Sequence, residues 1–394
     1  MHKQIALWLT GLLLAGLFQQ CSSPSQKETK ETETNTKVAT NDYHLLIGTY
    51  TAGKSEGIYV YRFNNDSGTL HHEFTAKGVE NPSFLTVSND DKYVYAANEN
   101  GEGEVSAFQF DNKTGALTFI NKQPSNGQHP CYLTTDSKGK FVIAGNYSSG
   151  NLSVLPIGQN GALEAPVQTI QHTGNGFDKK RQEAPHVHST VLGPDEHYLF
   201  VGDLGTDKVN IYPFDPSNEK HPLAEEKASF AKVTDGSGPR HFTFGKNGKF
   251  AYLIEEMTGK VAVFAHNNDS LTLIEEVAMT DSTFTGESGA AEVRISPDGK
   301  FLYASNRLDA NTITVFEINQ ENGTLKQVDI VSEGIDTPRN FMIDPSGKFL
   351  LAANQKTDEV IVFRRDIETG KLTPTGTRIE VGSPVYLKMV EAVK

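Results

Sequence analysis

An all-β chain folded as a seven-bladed β-propeller of four-stranded antiparallel blades is the class this sequence predicts. Three observations predict it: a repeat of roughly 50 residues, period-two hydrophobic alternation inside each repeat, and one further unit divided between the two ends of the chain.

The repeat has two recurring elements. A polar turn followed by an apolar strand appears as SNDDKYVYAAN, DSKGKFVIAGN, GPDEHYLFVGD, GKNGKFAYLIE, SPDGKFLYASN and DPSGKFLLAAN. The residue before each strand is Lys92, Lys140, His197, Lys249, Lys300 and Lys348 in turn. A later hairpin turn recurs as NNDSGTL, DNKTGAL, GQNGAL, NNDSLTL, QENGTL and IETGKL, where Gly supplies the positive φ such turns need. Runs such as Lys260-Val261-Ala262-Val263-Phe264 alternate as strands do, and no window has the period of an amphipathic helix. Each unit therefore reads as four antiparallel strands. The stretch from His44 to about Ala76 supplies three more strands with no first one, while Ser383 to Met389 is a lone first strand. Joined, they make a seventh blade that closes the ring and leaves no edge exposed.

The N-terminal residues read as an export segment rather than as part of the fold. His2 and Lys3 precede an apolar run from Ile5 to Phe18, which is short for a membrane span, and Cys21 follows it. Cys21 resembles the acylated cysteine of bacterial lipoproteins, although Phe18, Gln19 and Gln20 replace the small residues usual before it; simple secretion is the alternative. Residues 22–42 carry almost nothing apolar and are expected to form a flexible polar tether, with the propeller spanning 43–394. The protein is thus expected in the periplasm or at the outer membrane, touching membrane only through a lipid anchor, and as a monomer.

A formal net charge of −13 excludes nucleic acid as the main partner, since the long-range field repels a polyanion. A small anionic substrate stays compatible if a local Arg or His cluster dominates at close range. Only Cys21 and Cys131 are present, so there is no disulfide framework, and Cys131 reads as a small core residue. No Gly-x-Ser-x-Gly elbow, phosphate-binding loop or cysteine cluster occurs, and neither a cofactor nor a metal is expected.

The repeat supplies an internal control: residues recurring in every unit serve the blade, and exceptions are candidates for chemistry. First strands begin at Pro82-Ser83, Pro130-Cys131, Val187-His188, Pro239-Arg240, Ala290-Ala291, Pro338-Arg339 and Pro384-Val385. Pro is structural there; His188 and Arg240 are exceptions in adjacent units. At the end of the second strand one slot holds Asn98, Asn146, Asp203, Glu255, Asn306 and Asn354, a polar blade feature compatible with an Asx turn. The next slot holds Glu99, Tyr147, Leu204, Glu256, Arg307 and Gln355, with nothing in common, which singles out Glu256 and Arg307. Because the two strands run antiparallel, Arg240 and Glu256 should be neighbours at one mouth of the channel. His188 joins them from the preceding blade and Arg307 from the following one. Arg294 should lie deeper along its strand, where a buried guanidinium needs a carboxylate or a bound anion.

Plainer readings stand beside these. His186 and His188 are spaced like metal ligands but have no third ligand. Arg240 with Glu256 is also what an inter-strand ion pair looks like, and Glu292 beside Arg294 reads as a structural salt bridge. Gly174-Asn175-Gly176, with Lys179, Lys180 and Arg181, reads more readily as a flexible insertion than as a phosphate cradle.

The chain resembles the propeller-type lactonases, which include bacterial 6-phosphogluconolactonase and a fungal carboxymuconate cyclase. The resemblance spans roughly Tyr43 to Val390 and is carried by Gly48-Thr49-Tyr50-Thr51, Arg181-Gln182-Glu183-Ala184-Pro185-His186-Val187-His188 and Asp203-Leu204-Gly205. It continues through Gly238-Pro239-Arg240-His241, Ala291-Glu292-Val293-Arg294 and Ser305-Asn306-Arg307. It implies His188, Arg240, Glu256 and Arg294 as catalytic residues; His186 and Tyr50 are expected to contact substrate, and Arg307 or Arg339 to pair with a phosphate on it. It also implies a carboxylic ester hydrolase acting on 6-phosphogluconolactone. Where the family has Asn before its Glu this chain has Glu255, leaving the choice of carboxylate open, and an export segment is unusual for an enzyme of a cytoplasmic substrate. In the implied chemistry water attacks the lactone carbonyl, Arg240 or Arg294 stabilises the oxyanion, and Glu256 or His188 takes the proton. An Arg beside Glu256 favours its charged form and weakens it as a base, which points to His188. A lactonase or cyclase acting on another cyclic ester, and a non-catalytic binding propeller, remain the alternatives.

Overall fold

The computed structural model describes residues 42–393. The export segment, Cys21 and all of the tether except Asp42 lie outside the described residues. Asp42 already belongs to the first strand, where it pairs with Asn64.

The described residues form twenty-eight strands and two short 3-10 turns, arranged as seven four-stranded antiparallel sheets. In six sheets the strands follow chain order from the channel outward. The seventh has the split composition expected from the chain ends: Pro384–Glu391 is its innermost strand, followed by Asp42–Thr49, Gly57–Asn64 and Leu70–Lys77. The pairing runs from Tyr43 opposite Glu391 to Thr49 opposite Pro384.

Inner strands touch in sequence around the channel: Pro82–Val87, Pro130–Thr135, Val187–Leu192, Pro239–Phe244, Ser288–Ile295, Pro338–Ile343 and Pro384–Glu391, the last meeting the first. The hydrophobic core lies between neighbouring blades. Leu45, Ile47 and Phe63 of the closing blade, for instance, pack against Phe349, Leu351 and Val360 of the one before it. The recurring hairpin turn serves the same seam. Gly68 and Gly370 adopt φ +75° and +73° and press against Phe349 and Phe301, the first residues of second strands in the neighbouring blades. In NNDSLTL, which lacks the glycine, Asn268 takes the positive φ, at +45°.

The recurring Asn slot is a blade feature, though not chiefly as an Asx turn. Asn98, Asn146 and Asn354 reach sideways and donate to the carbonyls of Glu80, Ser125 and Gly334, at 2.7, 3.0 and 2.7 Å. They tie the loop entering the inner strand to the end of the second strand, and Asn146 satisfies the carbonyl of the buried Ser125.

One feature positions the site directly. In all seven blades the pairing of the inner strand shifts register at its start, with one or two residues left over: Ser83, Cys131, His188, Arg240-His241, Ala291-Glu292, Arg339 and Val385. Such a bulge lets two consecutive residues face the same side. Ser83 with Phe84, Arg240 with His241 and Val385 with Tyr386 accordingly line one narrow space in the channel.

Candidate active site

At the mouth where the inner strands begin, Glu256 is the centre of the cluster. It follows strand Phe250–Glu255, and its backbone N–H is fixed by the Gly238 carbonyl at 2.8 Å. Arg240, from the bulge of the paired strand, places Nε 2.8 Å from Glu256 Oε2 and is almost fully buried. Its Nη1 donates to the Ala291 carbonyl of the next blade at 2.5 Å. Arg307 reaches in from that blade, with Nη2 3.1 Å from Glu256 Oε2 and Nε donating to the Gly289 carbonyl at 2.7 Å. His188, from the preceding blade, lies with Nε2 4.0 Å from Glu256 Oε2. The expected neighbours from three blades therefore meet at one mouth.

A second pair completes the ring. Tyr50 donates its hydroxyl to Glu99 at 2.8 Å, while Arg339 lies 3.7 Å from Glu99 and 5.2 Å above the Tyr50 ring. Glu99 was not singled out from the sequence, although it occupies the same blade slot as Glu256. Arg181 was also missed. It comes from the long loop read as an insertion, and its Nη2 donates to Glu256 Oε1 at 2.7 Å. Nothing in blade periodicity could locate a loop residue that lies outside the repeat.

These side chains make an enclosed polar mouth with His188 and Arg240 side by side, one carboxylate bound by three guanidiniums, and a fourth guanidinium nearby. The family described as "Lactonase, 7-bladed beta-propeller" matches residues 44–389. The chain belongs to this lactonase family. Among its relatives, a 6-phosphogluconolactonase of Formosa agariphila is 37% identical over 350 residues, covering 88% of this chain and 99% of that protein. The 6-phosphogluconolactonase of Bacillus subtilis is 35% identical over 354 residues, with 89% and 99% covered. The solved structure of a periplasmic gluconolactonase from Pseudomonas aeruginosa superposes with a TM-score of 0.85 at 37% identity, covering 89% of this chain and 99% of that one.

In this lactonase-family propeller the electrostatics divide the roles. Burial pushes the Glu256 carboxyl upward, but Arg307 and Arg240, then His188 and Arg181, outweigh it and hold the group well below the usual range. It stays ionised and is a poor proton acceptor. Burial, reinforced by Arg240 and His241, holds His188 well below the ordinary imidazole range, so its ring is neutral at physiological pH with a lone pair free to accept. The same surroundings weaken its basicity and leave Glu256 as the group that favours the imidazolium. Burial, with Arg240 and Arg339 adding to it, lowers Arg307 to about 9 against the opposing pull of Glu256, which leaves it charged at neutral pH. Cys131 is buried with Sγ 3.6 Å from His188 Nδ1, and burial raises its thiol.

Two sequence candidates lie elsewhere. His186 stacks on Tyr147, ring centroids 4.6 Å apart, and directs Nδ1 to the Tyr147 carbonyl at 3.0 Å. It borders the mouth through Tyr147, whose ring also meets His188 edge-on at 5.4 Å. Arg294 does not join the cluster at all. It lies beyond a layer formed by the buried Phe84, His241, Glu292 and Tyr386 with the half-buried Tyr132, and lines a separate cavity in the other half of the channel. Its strand runs away from the Glu256 mouth, so a position three residues past the bulge residue Ala291 emerges on the far side. Glu292, read as its salt-bridge partner, is 3.7 Å from it and also binds His241 at 3.2 Å and Asn340. Among the described residues no group of three or more His, Cys, Asp or Glu side chains is placed to hold a metal ion.

Proposed function

We propose that this protein hydrolyses a sugar lactone at the Glu256 mouth, converting 6-phosphogluconolactone to 6-phosphogluconate. The observation that carries this reading is a neutral His188 beside an ionised Glu256 that organises three arginines. Water bound at His188 attacks the lactone carbonyl carbon and gives its proton to the imidazole. Arg240 or Arg307 stabilises the oxyanion, a contribution of about 3–4 kcal/mol in such sites. Collapse breaks the ring C–O bond, and the imidazolium returns the proton to the departing alkoxide. Glu256 holds the guanidiniums in place and stabilises the transient imidazolium, without serving as the base. Arg240, Arg307, Arg339 and Arg181 outnumber Glu256 and Glu99, and this surplus of positive charge suits a phosphorylated substrate.

The closed mouth offers about 10 Å³, room for about one water, whereas benzene needs a cavity on the order of 150 Å³. Arg181, which covers Glu256 from the long loop, is the most exposed of the four arginines.

A second reading, hydrolysis of unphosphorylated gluconolactone outside the cytoplasm, is supported by the export segment and by the similarity to the periplasmic gluconolactonase. Parallel assays of both lactones separate the two. Turnover of neither favours the binding-propeller alternative. With the better substrate, Arg240→Met is expected to lower kcat/KM by about 100-fold or more and Glu256→Gln by at least about tenfold. Activity within a few-fold of the parent in both variants would remove these residues from the mechanism.

A further inference from the structure

The far half of the channel holds the larger cavity, about 630 Å³, and nothing in the lactonase reading uses it. Its floor is aromatic: the Phe84 ring lies 4.1 Å from that of Tyr132 and 4.0 Å from that of Tyr386. Beyond the floor, equivalent positions on the seven inner strands carry Thr86, Thr134, Val191, Thr243, Arg294, Met342 and Lys388, of which Thr86, Thr134, Thr243, Arg294 and Lys388 line the cavity. Three of the seven are threonines and two are apolar, and the two cations flank the Met342 strand.

Only one of the two cations has a carboxylate partner, and that carboxylate is shared. Lys388 is half-buried and makes no hydrogen bond or ion pair with the described residues. Arg294 donates Nε to the Phe341 carbonyl at 2.8 Å, and its nearest carboxylate, Glu292 at 3.7 Å, is already engaged by His241 and Asn340. Burial and the Arg294 charge press the Lys388 ammonium below its ordinary range, against the pull of Asp91. A third cation, Lys246, lies at the rim with Nζ on the Pro297 carbonyl. In a chain of net charge −13, positive charge gathered in a partly desolvated cavity is costly unless an anion offsets it. The hydroxyls of Thr86 and Thr243 make no hydrogen bond with the described residues and are available to a polyol.

We propose that this far cavity is a second, non-catalytic site for a small polyhydroxylated anion, whose carboxylate or phosphate is gripped by Arg294 and Lys388 while its hydroxyls meet the threonines. The site is independent of lactone hydrolysis at the other mouth.

Calorimetric titration of the protein with 6-phosphogluconate, gluconate and inorganic phosphate tests it. A binding event is expected that weakens by roughly tenfold or more in Lys388→Met and again in Arg294→Gln, the loss of one charge-assisted contact each. A response to phosphate alone identifies the phosphate as the recognised group; a response to gluconate alone identifies the carboxylate. Lys388→Met removes an uncompensated charge while keeping the apolar stem, so its melting temperature should be preserved, and lactone turnover, measured separately, should be unchanged. Absence of binding by all three probes, or equal affinity in the parent and in either folded variant, overturns the proposal.

Discussion

Glu255 and Glu256 are adjacent in sequence and opposite in character. Three arginines keep Glu256 ionised. Glu255 occupies the blade slot elsewhere filled by Asn or Asp, accepts from Thr258 at 2.7 Å, and leaves Oε1 without a partner. Burial, helped by Glu276, raises its carboxyl to about 7. A folded-state value above the unfolded one means that the folded chain pays for ionisation as pH rises through that range. Glu255→Gln is therefore expected to stabilise the protein more at pH 8.5 than at pH 5, by about 2 kcal/mol. Denaturant midpoints for both proteins at the two pH values measure this. A pH-independent difference would mean that Glu255 is not the titrating group.

At the scale of the strand, the bulge at the start of each inner strand is what builds the active mouth. Simple alternation would send every second residue away from the channel, and His241 would then face a neighbouring blade if Arg240 faced inward. The bulge brings both inward, so the first residue of the pair serves the mouth and the second seals the channel below it. Close approach of the backbones accompanies this geometry. A Cβ on Gly48, in the second strand of the closing blade, would lie 2.4 Å from the Pro82 carbonyl oxygen and 3.2 Å from Tyr386 Cβ. Gly48→Ala should cost about 1–3 kcal/mol through this overlap, read as a lowered denaturant midpoint. An unchanged midpoint would show that the two blades can separate freely there.

Across the whole molecule, the ring depends on an inner strand supplied by the far end of the chain. Val385, Tyr386, Leu387, Met389 and Val390 of that strand are buried. Each such side chain contributes roughly 1.5–3 kcal/mol, and together they rival the total stability of about 5–15 kcal/mol typical of a domain. Ending the chain before Ser383 should therefore abolish cooperative unfolding, and would expose the edge of Asp42–Thr49 to aggregation. A calorimetric transition at the parental temperature would contradict this role for the clasp.

Blade number, the split blade and the meeting of His188, Arg240, Glu256 and Arg307 could all be read from the sequence. Turn glycines and alternating strands are local signals, and repetition places equivalent residues at equivalent heights in the ring. What repetition does not encode is the direction of a side chain at an irregular step, or the path of a loop outside the repeat. The bulges, the turn of Arg181 onto Glu256, the Glu99–Tyr50 pair and the emergence of Arg294 in the opposite half of the channel were decided only when the blades packed. Each depends on contacts between segments that are far apart in the chain, made at a distance set by the radius of the closed ring.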